Sequence, residues 1–310
     1  MSSLRSASVL LPALDALRGG LDTSPRLARA LGRADALDNA NAGREAQLLR
    51  HLRVLPTRVP AAPLTRLLDA ADAGLGAWVR CDPAHVRADM STARMLAVGP
   101  ALGLDLKEAQ ALIAPLRPLF GDFGMPISAP HADRWYVHLA DPPSLPAMVP
   151  PEIALGRDLL ECLPPGPQGA RWRQLWNEAQ VVLHNHEINH RRMAEGKPPV
   201  NSLWFWGGGS LPDSAHSDAS GVLTMDPVLR GLARLAELPE LPPGEAWKPG
   251  ALIDLGHLRD AADLEGGILD EALGALRGGL DEVLLDFANG RRWLLRAGQR
   301  WRFWRRPLRG

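Results

Sequence analysis

The densest group of polar side chains lies at residues 184–192, where His-Asn-His-Glu-Ile-Asn-His-Arg-Arg contains an H-E-x-x-H spacing. On a continuous helix this spacing puts two imidazoles, here those of His186 and His190, on one face beside a glutamate, as in zinc peptidases. Gly196 and Pro198 end any such helix soon afterwards, and no motif for a third ligand follows. We favour a polar helix end, and keep a zinc hydrolase that uses both histidines as an alternative.

A glycine triplet, Gly207, Gly208 and Gly209, directly follows the apolar run 202–206. A strand that runs into such a triplet lets backbone N–H groups approach a ligand closely, often an anion. No lysine follows, so the segment is not a Walker loop. The alternative is a tight exit from a buried strand whose tryptophans belong to the core, and the sequence leaves both interpretations open.

The C-terminal stretch, residues 291–309, holds eight arginines together with three tryptophans. Basic and aromatic residues in combination are typical of nucleic-acid binding. The formal net charge of the whole chain is zero, however, so the usual electrostatic footprint is absent. We therefore expect the charged face of a strand pair, with arginine stems covering the tryptophans, and no nucleic-acid partner.

Composition narrows the class of protein. With 310 residues, 46% of them hydrophobic and 23% charged, the chain can bury a sizeable core. Its two cysteines form neither a disulfide framework nor a cysteine metal site. No run approaches ~18 uninterrupted apolar residues, the length that spans a membrane. These features predict a cytoplasmic protein without a membrane partner.

Hydrophobic periodicity predicts strands that alternate with helices for most of the chain, which defines an α/β class with a mixed sheet, flanking helices and a closing β meander. A proline-rich segment, 141–168, predicts an extended connection. Strands are expected at 7–11, 76–80, 134–139, 202–206, 251–254 and from residue 282, where Asn289-Gly290 predicts a hairpin turn. Helices are expected within 24–70 and at 107–119, 169–184, 225–237 and 258–277.

Four segments together resemble a proteobacterial group labelled phosphoglycerate-mutase-like or a regulatory protein of the Rpf pathogenicity cluster. They are Asp82–Asp89, Pro130–Tyr136, the Asn189-x-x-Arg192 element and Val200–Gly209. The same order is distantly similar to archaeal cofactor-independent phosphoglycerate mutase, in which an N-x-x-R element precedes an A-N-x-x-x-x-R-G-x-G element. The resemblance implies an alkaline-phosphatase-like scaffold. Residues 1–75 and 211–310 would form its core, the first part mostly helical, and 76–210 the substrate-side region.

The resemblance also implies two divalent metals held by Asp and His residues and a serine that carries the phosphoryl group. This sequence departs from that pattern at several places. The first strand runs into Asp15 without an Asp-Gly-x-x-Asp turn, and 254–257 with 260–267 retain fragments of a D-x-x-G-H-x-x-D signature. Trp206 stands where the glycine element should have its arginine. We therefore expect a catalytically degenerate scaffold without a metal cofactor, the alternative being bound Mn or Zn.

The predicted function is the binding of a small anionic or phosphorylated metabolite in a regulatory role. An active metal-dependent phosphoglycerate mutase or phosphatase remains an alternative, as do the zinc hydrolase and a protein-interaction module that uses 141–168 or the basic tail. The candidate pocket combines arginine forks with the amides of the glycine triplet. Its predicted side chains are His131, Arg134, His186, Asn189, Arg192 and Asn201.

Overall fold

The computed structural model describes residues 5–88, 92–140 and 144–309. The strands are β1 (Ser6–Leu11), β2 (Asp35–Ala36), β3 (Arg53–Leu55), β4 (Ala77–Ala88), β5 (Ala93–Val98), β6 (Ile127–Ser128), β7 (Tyr136–Leu139), β8 (Ser202–Ser210), β9 (Ser214–His216), β10 (Gly221–Leu223), β11 (Ala251–Asp254), β12 (Glu282–Phe287) and β13 (Arg292–Leu295). The helices are α1 (Pro25–Arg33), α2 (Arg44–His51), α3 (Ala61–Asp69), α4 (Leu106–Ile113), α5 (Leu116–Asp122), α6 (Pro151–Ala154), α7 (Leu159–Cys162), α8 (Gly166–His184), α9 (Glu187–Ala194), α10 (Pro227–Leu235), α11 (Ala261–Asp263) and α12 (Leu269–Arg277).

The chain forms two units, each with its own hydrophobic core. The first unit joins Met1–Arg58 to Pro212–Gly310, and the second is Val59–Leu211. The expected division placed the first boundary after residue 75, whereas in the structure it follows Arg58. The reason is that α3 packs on β4 and β8, the central strands of the second unit.

The first unit is built on a six-stranded sheet in the order β10-β11-β1-β12-β13-β2. The strands β10, β11, β1 and β12 are parallel to one another, and β13 pairs antiparallel with both β12 and β2. A parallel strand covered on both faces reads as a continuous apolar run, and Val9, Leu10 and Leu11 of β1 are accordingly fully buried. The mixed α/β class predicted from the sequence is therefore present in the structure.

The end of the chain differs from the predicted meander. Asn289-Gly290 does close an antiparallel hairpin between β12 and β13, and Gly290 has a φ of 84°, which suits such a turn. The next strand in the sheet is β2, from the N-terminal part of the chain. Residues 297–301 form a 3₁₀ turn instead of a further strand. The C-terminal strands therefore form a hairpin of β12 and β13, and β2 takes the next place in the sheet in place of a third C-terminal strand.

The second unit is organised around β4, the longest strand. It pairs with β7 and β5 along one edge and with β8 along the other. The helix α8 packs on β8, and the ring centres of Phe205 on β8 and Trp172 on α8 are 5.2 Å apart. The predicted strand 202–206 does not end at the glycines, because β8 continues to Ser210 through them.

Residues 141–168 were expected to be extended, but the structure has the short helices α6 and α7 there, and α8 begins at Gly166. The physical reason is that proline is tolerated at the first helical position, where Pro151 lies, and Asp158 caps the next helix. Residues 141–143 lie outside the described residues. Among the helices that the structure describes, none has the length and apolar content to cross a bilayer.

Candidate functional site

Two carboxylates lie at the carboxyl ends of the parallel strands in the first unit. Asp254 ends β11 and Asp286 is the penultimate residue of β12. Both pair in register with Leu10 of the intervening β1, so their backbones are two strand spacings apart, about 9–10 Å. This edge of an α/β sheet is where ligand and catalytic sites usually form.

Asp286 is fully buried and is held by two basic residues of α2. Arg50 Nε donates to Oδ2 at 3.0 Å and Arg50 Nη2 donates to Oδ1 at 2.6 Å, while His51 Nε2 lies 2.8 Å from Oδ2. Burial alone raises the pKa of Asp286, but the hydrogen bonds from His51 and Arg50 outweigh it and lower that pKa below its ordinary value. The group is therefore a carboxylate with both oxygens already bound.

Asp254 is bound in a similar way by another arginine of α2. Arg44 Nη2 lies 2.8 Å from Asp254 Oδ2 and 2.9 Å from Asp226 Oδ2, so the guanidinium bridges two carboxylates. Burial lowers the pKa of Arg44, but the charges of Asp254 and Asp226 outweigh it and the pKa is raised. Thr224 Oγ1 donates to Asp254 Oδ2 at 2.7 Å, so this hydroxyl is bound to the same cluster.

The two divalent metals implied by the family resemblance do not fit these residues. A divalent cation needs the free oxygens of Asp254 and Asp286, and those oxygens accept from Arg44 and from Arg50. Two guanidinium charges at contact distance would also repel such a cation. His257 of the fragmentary signature is exposed. In the described parts of the chain, no group of three or more His, Cys, Asp or Glu residues is arranged to hold a metal ion.

Two predicted ligand residues of the second unit are buried and have partners within the protein. Asn189 donates to Leu183 O and Val200 O, and its Oδ1 accepts from Val200 N. Arg192 has no exposed surface, and its Nη1 donates to Glu108 Oε2 at 2.9 Å. The Asn-x-x-Arg element therefore ties α9 to the segment before β8.

The histidines of the H-E-x-x-H spacing do not share a helix. The helix α8 ends at His184, and His186 is the N-cap of α9, where its Nδ1 accepts from Ile188 N at 3.2 Å. His186 Nε2 lies 3.2 Å from Ala111 O, and His190 is exposed on α9. Both ring nitrogens of His186 are thus engaged, which matches the favoured polar helix end.

Two further predicted residues, His131 and Arg134, lie beside carboxylates. His131 Nδ1 is 2.5 Å from Asp133 Oδ1, and the Arg134 guanidinium grips Asp69, with Nε donating at 2.7 Å. Burial lowers the pKa of Arg134, but the hydrogen bond and charge of Asp69 outweigh it, and the pKa is raised. The charge of Arg134 is therefore compensated by Asp69 inside the unit.

The glycine triplet packs against α3 and its surroundings. A Cβ added at Gly207 would meet Ala61 Cβ at 2.7 Å, and one at Gly208 would meet Leu145 at 2.5 Å. Gly207 also has a φ of 64°, a conformation that favours glycine. Close packing against α3 at Gly207 and against Leu145 at Gly208 is sufficient to explain these two glycines. Binding of an anion by their amides stays a prediction.

The sequence did not predict a buried ion pair that lies near the glycine triplet. Arg80 donates to both oxygens of Asp82 at 2.7 and 2.9 Å, and both side chains are buried. Trp206, which replaces the arginine of the family motif, donates its indole N–H to Asp82 at 2.7 Å. Burial is the main cause of the raised pKa of Asp82. Arg80 and Asp82 are two positions apart in a strand and so lie on the same face, and this spacing could have predicted the ion pair.

A cavity of about 610 Å³ lies beside the end of β4 in the second unit. Asn201 is the predicted ligand residue that lines it, and this side chain also bonds Val86 N and Val86 O at 2.8 Å. The described lining has no carboxylate. Its other polar members are His85, Arg87, Gln180, His184 and Asn185.

The C-terminal tryptophans fall into two groups. Trp293 is buried, and the Arg291 guanidinium lies 4.9 Å from its ring centre, as the predicted strand face requires. Trp301 and Trp304 instead are exposed by 65% and 68%. The predicted strand face does not include these two, because β13 ends at Leu295, although the Arg300 guanidinium lies 4.9 Å from the Trp301 ring centre.

Comparison with known proteins gives a partial relationship. No family model matches the chain. It is 46% identical over 68 residues to a probable 2,3-bisphosphoglycerate-independent phosphoglycerate mutase of Geobacter sulfurreducens, and 43% identical over 63 residues to the Methanosarcina barkeri mutase. These matches cover 22% and 20% of this chain but only 17% and 16% of those relatives. A structure of the Thermoplasma acidophilum cofactor-independent mutase aligns over 95% of this chain and 90% of its own, with 17% identity and a TM-score of 0.41. The chain thus has a distant, partial similarity to cofactor-independent phosphoglycerate mutases.

Proposed function

We propose that this chain is a catalytically degenerate relative of the cofactor-independent phosphoglycerate mutases that binds a small anionic or phosphorylated ligand and has a regulatory role. The observation that carries the proposal is the pairing of Asp254 and Asp286 with the arginines of α2. Paired metals stabilise attacking and leaving oxygens in this type of phosphoryl transfer. A guanidinium cannot activate a nucleophile as a divalent metal does, so this cluster stabilises the fold without supplying turnover.

The ligand site that the geometry favours is the cavity beside β4. Arg87 supplies an exposed guanidinium, and the imidazoles of His85 and His184 and the carboxamides of Asn185 and Asn201 supply further polar groups. With no carboxylate in the described lining, the local charge favours an anion, and arginine matches a phosphate oxygen pair geometrically. The volume lies within the range of small-molecule sites.

A regulatory role follows from binding without turnover. The resemblance to the proteobacterial Rpf-cluster proteins agrees with such a role. The zinc alternative loses support because His186 caps α9 with one ring nitrogen and contacts Ala111 O with the other. A protein-interaction role for the basic tail keeps the support of its two exposed tryptophans, Trp301 and Trp304.

Calorimetric titration with 3-phosphoglycerate, inorganic phosphate and glycerate tests the ligand proposal. We expect both phosphate-bearing probes to bind more tightly than glycerate. Arg87→Gln should weaken 3-phosphoglycerate binding by about five- to tenfold, since it removes one charge-assisted contact. Arg157→Gln, an exposed arginine of the same unit outside the cavity, is the control and should leave affinity unchanged. Equal affinity of wild type and Arg87→Gln, or no binding, would refute the site.

A further inference from the structure

A groove in the first unit combines an apolar floor with basic edges. Its volume is about 330 Å³. Leu269, Leu273 and Leu276 of α12 and Leu295 of β13 supply the apolar side chains, and three of the four are buried. No carboxylate lies among the described lining residues. Six arginines line the groove: Arg26, Arg29, Arg33, Arg277, Arg296 and Arg300.

The charges of these arginines are only partly compensated. Arg26 and Arg296 form ion pairs with neighbouring carboxylates. Among the residues that the structure describes, no ion pair is formed by the other four: Arg29, Arg33, Arg277 and Arg300. In addition, Arg33 Nε is buried and has no hydrogen-bond partner. The charge of Arg277 also acts on nearby Asp270, but Arg29, Arg33 and Arg300 add further positive charge around the apolar surface, which favours an anion.

The leucines and the arginines of this groove favour two different chemical groups in a single ligand. An alkyl chain gains free energy when it leaves water for the apolar surface still exposed in the groove, that of the partly buried Leu273 and the arginine stems. Guanidinium groups bind carboxylates and phosphates through paired N–H donors. The volume lies at the lower end of small-molecule sites, which favours a single chain over a folded partner.

We infer that this groove binds a single-chain anionic amphiphile, with a medium-length alkyl tail on the leucines and a carboxylate or phosphate monoester head among the arginines. This site is separate from the cavity beside β4 and from the carboxylate cluster of α2. It belongs wholly to the first unit, between α1, α12, β13 and the 3₁₀ turn at residues 297–301.

Four probes test the inference by isothermal titration below their micelle concentrations: decanoate, decyl phosphate, 1-decanol and inorganic phosphate. Decanoate or decyl phosphate should bind at least about tenfold more tightly than 1-decanol, because the neutral head leaves the arginines without a counter-charge. Decyl phosphate should bind more tightly than inorganic phosphate, because only the former covers the leucines. The tighter of the two anionic amphiphiles identifies the head group.

The double variant Arg29→Gln/Arg300→Gln removes two exposed, unpaired charges without touching the core. It should weaken decanoate binding by about five- to tenfold. Arg234→Gln changes another exposed arginine of the same unit, away from the groove, and should have no effect. Unchanged binding in the double variant, equal binding of 1-decanol and decanoate, or no binding of either anionic amphiphile would overturn the inference. Melting temperatures of all variants confirm that each is folded.

Discussion

Asp286→Asn is expected to lower the free energy of unfolding of the protein by about 3–5 kcal/mol at neutral pH. The wild-type carboxylate is fully buried and accepts from Arg50 and lies beside His51. Asparagine has the same shape but one acceptor oxygen, and it turns its own N–H groups toward the guanidinium donors. The buried cation then keeps its desolvation cost and loses its counter-charge. Urea unfolding followed by circular dichroism measures the change.

Asp218→Asn is the control for this variant, because it removes one carboxylate from an exposed pair with Arg53 and should cost at most about 1 kcal/mol. The pH dependence gives a second check. The pKa of Asp286 is lower in the folded than in the unfolded protein. Its stabilising effect is therefore complete above the unfolded value of about 3.9 and is lost as the pH falls through the folded value. Wild type and variant should converge at acidic pH; a constant difference would contradict this origin.

Arg192→Leu is expected to lower the free energy of unfolding of the second unit by about 3–5 kcal/mol. Arg192 has no exposed surface and donates to Glu108 at 2.9 Å and to Pro198 O at 3.0 Å. Leucine leaves the largely buried Glu108 carboxylate with a weaker partner and the carbonyl without a donor. Urea unfolding with a fluorescence readout measures the loss.

The neighbouring residue provides the matched control. Arg191 reaches the same carboxylate at 3.5 Å but is 58% exposed. Because solvent screens exposed pairs, Arg191→Leu should cost at most about 1 kcal/mol. If both variants lost the same stability, burial would not be what makes the Asn-x-x-Arg element structural.

Local sequence patterns predicted much of the fold. The apolar run at 7–11, the alternation of strands and helices and the Asn289-Gly290 turn all correspond to observed elements. Hydrophobic periodicity and turn residues act over a few neighbouring positions, so both can be recognised in the sequence. The short helices in the proline-rich segment were not predicted. Proline disfavours the interior of a helix, but it is tolerated at the first helical position, and the composition alone does not distinguish the two cases.

The site was predicted less well, since its contacts join distant segments. Arg50 and Asp286 are separated by 236 positions, and no local pattern links them. A glycine triplet and an Asn-x-x-Arg element looked like ligand-binding features, but their types also suit close packing and buried hydrogen bonds. Arg192 is the clearest case, because its fork binds Glu108 and main-chain carbonyls. Of the predicted pocket side chains, Asn201 lines the cavity beside β4.

Basic side chains of α2 occupy the positions around Asp254 and Asp286 that divalent metals would need. Calorimetric titration of Mn²⁺ into the metal-free wild-type protein tests this occupancy, with Asp286→Asn as the companion titration. We predict no stoichiometric binding in the micromolar range and identical traces for both proteins. Saturable, stoichiometric binding to the wild type that Asp286→Asn abolishes would contradict the claim.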